Sequence, residues 1–140
     1  MGRILALDIG RKRTGVAVTD PLKIVANGLA TIPSHTVVEY LGNYLTNENV
    51  ELLVVGYPVT MNNTPSEAVK YINPILKKIE KAFPNLKIVQ VDERFTSKMA
   101  FQTMIDGGLK KKDRQNKATI DTISATIILQ SYMESLSYKQ

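Results

Sequence analysis

The chain has 140 residues, 44% of them hydrophobic, with no cysteine and a formal charge of +5 at pH 7. That is enough apolar material for one core, and a single domain over 1–140 is expected. The missing cysteines exclude disulfides, thiolate metal sites and cysteine nucleophiles, and no apolar run approaches the ~20 residues of a membrane helix. The sequence pI near 9.4 suits a polyanionic partner such as nucleic acid, although many small proteins are equally basic for solubility.

The N-terminal MGRILALDIG carries one early Arg, then an acid, and no small-residue cleavage site. It reads as a first strand over residues 3 to 9 rather than a signal peptide, and a cytoplasmic protein is expected. Ile4, Ala6 and Asp8 alternate onto one face, Leu5, Leu7 and Ile9 onto the other. Gly10 to Arg13 is a turn and Thr14 to Thr19 a second strand, so the pair forms a hairpin. Asp20-Pro21 marks another turn. Ile24 to Ile32 reads as a third strand, with Gly28 a bulge or close-approach point.

The period then changes. Val37, Val38, Leu41, Tyr44 and Leu45 follow helical spacing, with Ser34 or Thr36 as candidate caps. Leu52 to Val55, ending at Gly56, reads as a buried parallel strand. Residues 57 to 65 form a polar loop, and 66 to 83 a helix that Pro74 should kink. Leu86 to Val91 reads as another buried strand. Thr96 to Asp106 reads as a helix stopped by Gly107-Gly108, and 109 to 117 as a basic connector. The last helix runs from about Ala118 to Leu136, with Ile120, Ile123, Ile127 and Tyr132 as inward candidates. A meander followed by βαβ units predicts a mixed sheet with helices on its faces, and ligands in such sheets gather beyond the carboxyl ends of the parallel strands.

Three acids stand where chemistry could be done. Asp8 ends the first strand, although a turn aspartate capping the hairpin would also explain it. Asp92 and Glu93 end the fifth strand in VQVDERFTS. Val89, Val91 and Glu93 share a face, so Glu93 is the better candidate, while Asp92 suits a cap on the following helix. Asp121 falls in the first turn of the last helix, where the helix dipole alone would favour an acid. Carboxylates ~4 Å apart repel by roughly 4 kcal/mol per pair at an effective dielectric of 20. If Asp8, Glu93 and Asp121 meet, a divalent cation would remove that cost. Oxygen ligands select Mg²⁺ or Mn²⁺, and such ions promote phosphodiester hydrolysis. Two basic clusters adjoin these acids and could hold a phosphate backbone. One is Arg11, Lys12 and Arg13; the other is Lys110, Lys111, Lys112, Arg114 and Lys117. Arg94 lies beside Glu93. His35, the single histidine, sits in a polar link and reads as a surface residue. Thr60, Asn62, Asn63 and Thr64 could contact phosphate or simply form a turn.

DIGRKRTGVAVTD, GYPVTMNNT, VDERFTS and NKATIDTISATIILQSY, in this order and over almost the whole chain, resemble the YqgF family, also called RuvX. That family is similar in fold to the Holliday-junction resolvase RuvC and to ribonuclease H. The resemblance implies a ribonuclease H-like α/β fold: a mixed five-stranded sheet, three antiparallel strands then two parallel, flanked by helices. It also implies a nuclease using one or two Mg²⁺ or Mn²⁺ ions. Family members are described as pre-16S rRNA nucleases that mature the 5′ end, and formerly as Holliday-junction resolvases. Asp8 matches the first-strand acid, Glu93 the acid of the DER motif and Asp121 the acid of the last helix. Asn62-Asn63 stands where members often carry Asp-Gly. RuvC-type enzymes place two acids on the final helix, whereas Ala118 and Ser124 flank Asp121 here.

The expected partner is therefore pre-rRNA, with ribosome association a possibility and branched DNA the alternative, and the protein a monomer or homodimer. A non-catalytic nucleic-acid or ribosome-binding module is a further alternative. Asp8, Gly10 and Gly15 also resemble the first phosphate loop of actin-like ATPases and sugar kinases, but no second phosphate loop follows.

Overall fold

The computed structural model describes residues 2–20, 22, 25–57, 69–92 and 117–137, excluding the side chains of 92, 117–122 and 134–137. Strands β1 (Arg3–Ile9), β2 (Arg13–Thr19) and β3 (Ala26–Pro33) come first. A 3-10 turn (Ser34–Thr36) leads into helix α1 (Val37–Asn47). Strand β4 (Val50–Tyr57), helix α2 (Val69–Ala82), strand β5 (Lys87–Asp92) and helix α3 (Lys117–Ser137) follow. The predicted loop over 57–65, apart from Tyr57, and the predicted helix Thr96 to Asp106 lie outside the described residues.

The strands form one sheet in the order β3-β2-β1-β4-β5. β1 pairs antiparallel with β2 and parallel with β4, β2 pairs antiparallel with β3, and β4 pairs parallel with β5. This is the expected mixed sheet. The chain builds outward on one side of β1 through β2 and β3, then restarts on its other side with β4. β1 is thus the switch point of the topology, and in open α/β sheets ligands gather beyond the carboxyl ends of the strands near such a point.

Period-2 alternation in the central strands divides the core into two layers. Leu5, Leu7 and Ile9 of β1, Val16 and Val18 of β2 and Leu53 and Val55 of β4 pack against Val37 and Leu41 of α1 and Ile72, Leu76 and Ile79 of α2. On the other face, Ile4, Ala6, Ala17, Leu52 and Val54 pack against Ala125, Ile128 and Leu129 of α3. β1 and β4 are buried on both faces, which explains their continuous apolar runs. Among the described residues no helix is long and apolar enough to cross a membrane.

Four local readings are corrected. β3 starts at Ala26 rather than Ile24, and its extra residue is Leu29, because Val16 pairs with Ala30 and Ala17 with Gly28. Gly28 therefore adjoins the bulge instead of forming it. Neither Ser34 nor Thr36 caps a helix with its side chain. The Ser34 hydroxyl is committed to the β1–β2 turn, and Thr36 Oγ1 donates back to the Pro33 carbonyl at 2.7 Å. β5 is only partly buried at Ile88, Val89 and Val91, since as an edge strand it has a neighbour on one side only. In α3 the core is built by Ala125, Ile128 and Leu129. Of the expected inward residues Ile127 is buried, Tyr132 packs at the margin and Ile123 is half-buried. Apolar residues surround that helix, so its periodicity does not single out one stripe. α2 continues through Pro74 as one element.

Candidate active site

The first hairpin fixes Asp8. The Gly10 N–H donates to the Arg13 carbonyl at 2.9 Å, leaving Arg11 and Lys12 as the two-residue loop. A Cβ on Gly10 would lie 2.5 Å from the Arg13 carbonyl oxygen, so the turn closes only on glycine. The 3-10 turn braces the same loop. The Ser34 N–H donates to the Lys12 carbonyl at 2.9 Å, and the Ser34 hydroxyl donates to the Gly10 carbonyl at 2.6 Å. Thr14 Oγ1 lies 2.9 Å from Ser34 Oγ. The backbone on both sides of Asp8 is thus held by pairing and by buried hydroxyls.

Asp8 is half-buried. It falls on the β1 face that carries Ile4 and Ala6, and hence on the α3 side of the sheet. Its partner on β2 is Gly15. On the other side Leu7 pairs with Val55, so the next residue of β4, Gly56, comes level with Asp8. Gly56 in turn pairs with Val91. One row across the sheet therefore reads Gly15, Asp8, Gly56, Val91, with the carboxylate flanked by two residues that have no side chain. The row lies at the sheet's carboxyl edge, where β1, β4 and β5 all end.

The other candidates are distributed as follows. Val89 and Val91 lie in the α3-side layer, the same face as Asp8. Glu93 and Arg94 lie outside the described residues, as do Lys110, Lys111, Lys112 and Arg114. Asp121 and Lys117 fall in the backbone of α3, and their side chains are outside the description. Among the described residues no three metal-ligating side chains meet. Of the three candidate acids, Asp8 is the one whose side chain is described, and it is half-buried at the strand end. A carboxylate is a hard oxygen donor, and that donor type fits Mg²⁺ or Mn²⁺. His35 is exposed in the 3-10 turn, as expected. A groove of about 410 Å³ between Leu45, Glu48, Phe83, Pro84 and Leu86 lies at the sheet's opposite edge, and none of the candidate acids lines it.

Arg11 and Lys12 are exposed and Arg13 half-buried, so the first basic cluster surrounds the loop that starts three residues beyond Asp8. The Arg11 guanidinium carbon lies 5.8 Å from the centroid of the Tyr71 ring, in the first described turn of α2. Nearby, the Tyr57 hydroxyl donates to Asn73 Oδ1 at 2.9 Å, joining the end of β4 to α2. The sequence reading missed Ser34 as a brace, Gly15 and Gly56 as the flanks of Asp8, and Tyr71. The Gly15 flank was within reach, because a two-residue loop at Arg11-Lys12 forces Asp8 opposite Gly15. Tyr71 carried no local signal.

The profile of the family described as "RuvX: Holliday junction resolvase" matches residues 2–135. A protein of Phocaeicola vulgatus named "Putative pre-16S rRNA nuclease" is 56% identical over 138 residues, covering 99% of each chain. One from Bacteroides thetaiotaomicron with the same name is 55% identical, covering 96% of this chain and 98% of its own. Among solved structures, T. thermophilus RuvC in complex with a Holliday junction substrate aligns with a TM-score of 0.56 at 15% identity, covering 95% of this chain and 96% of that one. A second Thermus thermophilus RuvC structure gives 0.52 at 12% identity, covering 94% of this chain and 96% of that one. The structural likeness supports the ribonuclease H-like fold, and on the profile and the identities together the chain belongs to the RuvX family.

Proposed function

We propose that this chain is a divalent-metal-dependent nuclease that hydrolyses phosphodiester bonds in structured RNA and processes the 5′ end of pre-16S rRNA in the cytoplasm. The observation that carries this reading is the glycine-flanked, half-buried Asp8 at the switch point of the sheet. The names borne by relatives more than half identical to the chain supply the substrate.

In the reaction, a water oxygen bonds to phosphorus and one P–O ester bond breaks, leaving a phosphate monoester and a free hydroxyl. Asp8, Glu93 and Asp121 are the residues that would hold the cation. Bound there, Mg²⁺ or Mn²⁺ would supply positive charge against the phosphoryl oxygens and make water acidic enough to attack. Asp8 contributes a carboxylate whose backbone cannot drift, since hairpin pairing and the Ser34 brace fix it. Arg11, Lys12 and Arg13 attract the flanking phosphate backbone by charge at the same edge.

The test is cleavage of a precursor fragment spanning the 5′ end of 16S rRNA, with Mg²⁺ or Mn²⁺ and with chelator. Cleavage requiring the metal and abolished in Asp8→Asn is expected. Metal-dependent cleavage unchanged by Asp8→Asn would overturn the mechanism. The family description and the RuvC fold favour one second reading, cleavage of branched DNA. A four-way DNA junction assayed beside the RNA at one salt concentration separates the two, because backbone affinity varies steeply with salt.

A further inference from the structure

Arg11 is exposed and makes no ion pair with a described residue. A solvated arginine normally samples many rotamers. Here its guanidinium is drawn over the Tyr71 ring, 5.8 Å from the centroid, within the range of a cation–π contact. Such a contact leaves guanidinium N–H donors available for an oxygen acceptor. The ring is itself anchored, since Tyr71 packs at the margin of the core layer formed by Leu5, Leu7, Ile72 and Leu76. The result is a cation drawn over an anchored ring, with no described residue accepting a hydrogen bond from it, two residues from the end of β1. It lies toward the α1/α2 face, whereas Asp8 faces α3.

We propose that Tyr71 is a positioning residue that pre-orients Arg11 as a clamp for one backbone phosphate of an RNA strand crossing the carboxyl edge of the sheet. The inference rests on the nuclease reading for its substrate. It adds a defined phosphate contact on the face opposite Asp8 and a role for an aromatic residue of α2. Bidentate guanidinium–phosphate geometry is what a fixed arginine gives and a free lysine does not. Lys12, in the same loop, provides charge alone.

The experiment measures binding of a fluorescent single-stranded RNA, in chelator so that no cleavage occurs, as a function of salt. Arg11→Gln is expected to weaken binding by about tenfold and to lower the slope of log affinity against log salt by about 0.7, the value for one single-strand phosphate contact. Tyr71→Leu should weaken binding several-fold, Tyr71→Phe should restore it, and Arg11→Gln with Tyr71→Leu should bind no worse than Arg11→Gln alone. Lys81→Gln, in the last turn of α2 at the opposite edge, removes the same charge and should leave the slope unchanged. An unchanged slope in Arg11→Gln, or no RNA binding by the wild type, overturns the clamp. If Tyr71→Leu and Arg11→Gln weaken binding additively, the positioning role is overturned. Because Arg11 is exposed, its variant reports on the clamp even if Tyr71→Leu fails to fold. RNA bound with the expected slope change but never cleaved on adding Mg²⁺ would instead overturn the nuclease reading and leave the clamp standing.

Discussion

The Ser34 hydroxyl donates to the Gly10 carbonyl at 2.6 Å while lying 2.9 Å from the hydroxyl of Thr14. Its single proton is spent on Gly10, so Thr14 must be the donor to Ser34. Ser34 is 5% exposed and Thr14 not at all, so neither hydroxyl can exchange its partner for bulk water. The end of β3 is thereby locked to the loop that follows Asp8.

Ser34→Ala should therefore cost more than an ordinary surface hydrogen bond. It removes the acceptor of a buried Thr14 hydroxyl and one donor to Gly10, and an unsatisfied buried group costs about 1–3 kcal/mol. The expected outcome is a lower urea midpoint at unchanged m-value, with RNA cleavage falling further than the unfolded fraction accounts for. An unchanged midpoint would mean that the brace contributes nothing to the site.

Gly10 and Gly42 should respond to alanine in opposite directions. At Gly10 the added Cβ would sit 2.5 Å from a backbone oxygen, that of Arg13, so the two-residue loop must open. Gly10→Ala should destabilise the hairpin and lower cleavage together. Gly42 lies inside α1, where the nearest atom to a Cβ is Phe83 Cζ at an ordinary 3.8 Å. Gly42→Ala should raise stability by about 0.5–1 kcal/mol, the helical penalty of glycine, without altering cleavage. Thermal melts of the two variants beside the wild type test both signs.

The central strands and Asp8 were legible in the sequence because their information is local. The alternation of Leu5, Leu7 and Ile9 against Ile4 and Ala6 gives the faces of β1, and Gly10 gives the turn. Gly15 opposite Asp8 follows from that turn. Gly56 beside it does not, because it depends on the parallel register between β1 and β4, which no local pattern encodes. Ser34 looked like a helix cap, since Ser just before an apolar-periodic run has that chemistry. Its hydroxyl went instead to residues twenty or more positions away. Tyr71 is an aromatic at a core margin by pattern, and only the tertiary fold brings Arg11 onto it. In α3 the apolar circumference hid the facing residues Ala125, Ile128 and Leu129.

Asp8→Asn should separate metal binding from folding. On the proposed reading Asp8, Glu93 and Asp121 repel one another without a cation, at roughly 4 kcal/mol per pair at ~4 Å and an effective dielectric of 20. Mn²⁺ should therefore raise the melting temperature of the wild type. Asp8→Asn should lose most of that rise and melt no lower than the wild type in chelator. A variant that keeps the full Mn²⁺ shift would place the cation away from Asp8.

The alkaline limit of stability should involve the tyrosine pair of α1. Tyr40 and Tyr44 stack with centroids 6.3 Å apart and rings inclined by 15°. Burial raises the pKa of Tyr40 above its ordinary value of 10.0, and charge on Tyr44 raises it further. Tyr44 is also raised, first by burial; Arg3 opposes the shift and Glu48 adds to it. A raised folded pKa means that the folded state keeps a phenolic proton the unfolded chain has already lost. Stability from this source is fully present below pH ~10 and is lost as pH rises through the folded values. Tyr40→Phe should flatten the fall in urea midpoint at alkaline pH and leave neutral stability nearly unchanged. Glu48→Gln removes one raising charge and should bring the Tyr44 titration, followed by tyrosinate absorbance, to lower pH. If Glu48→Gln moved it to higher pH, loss of the 3.3 Å Arg3–Glu48 pair would have to outweigh the direct field of Glu48 on the ring.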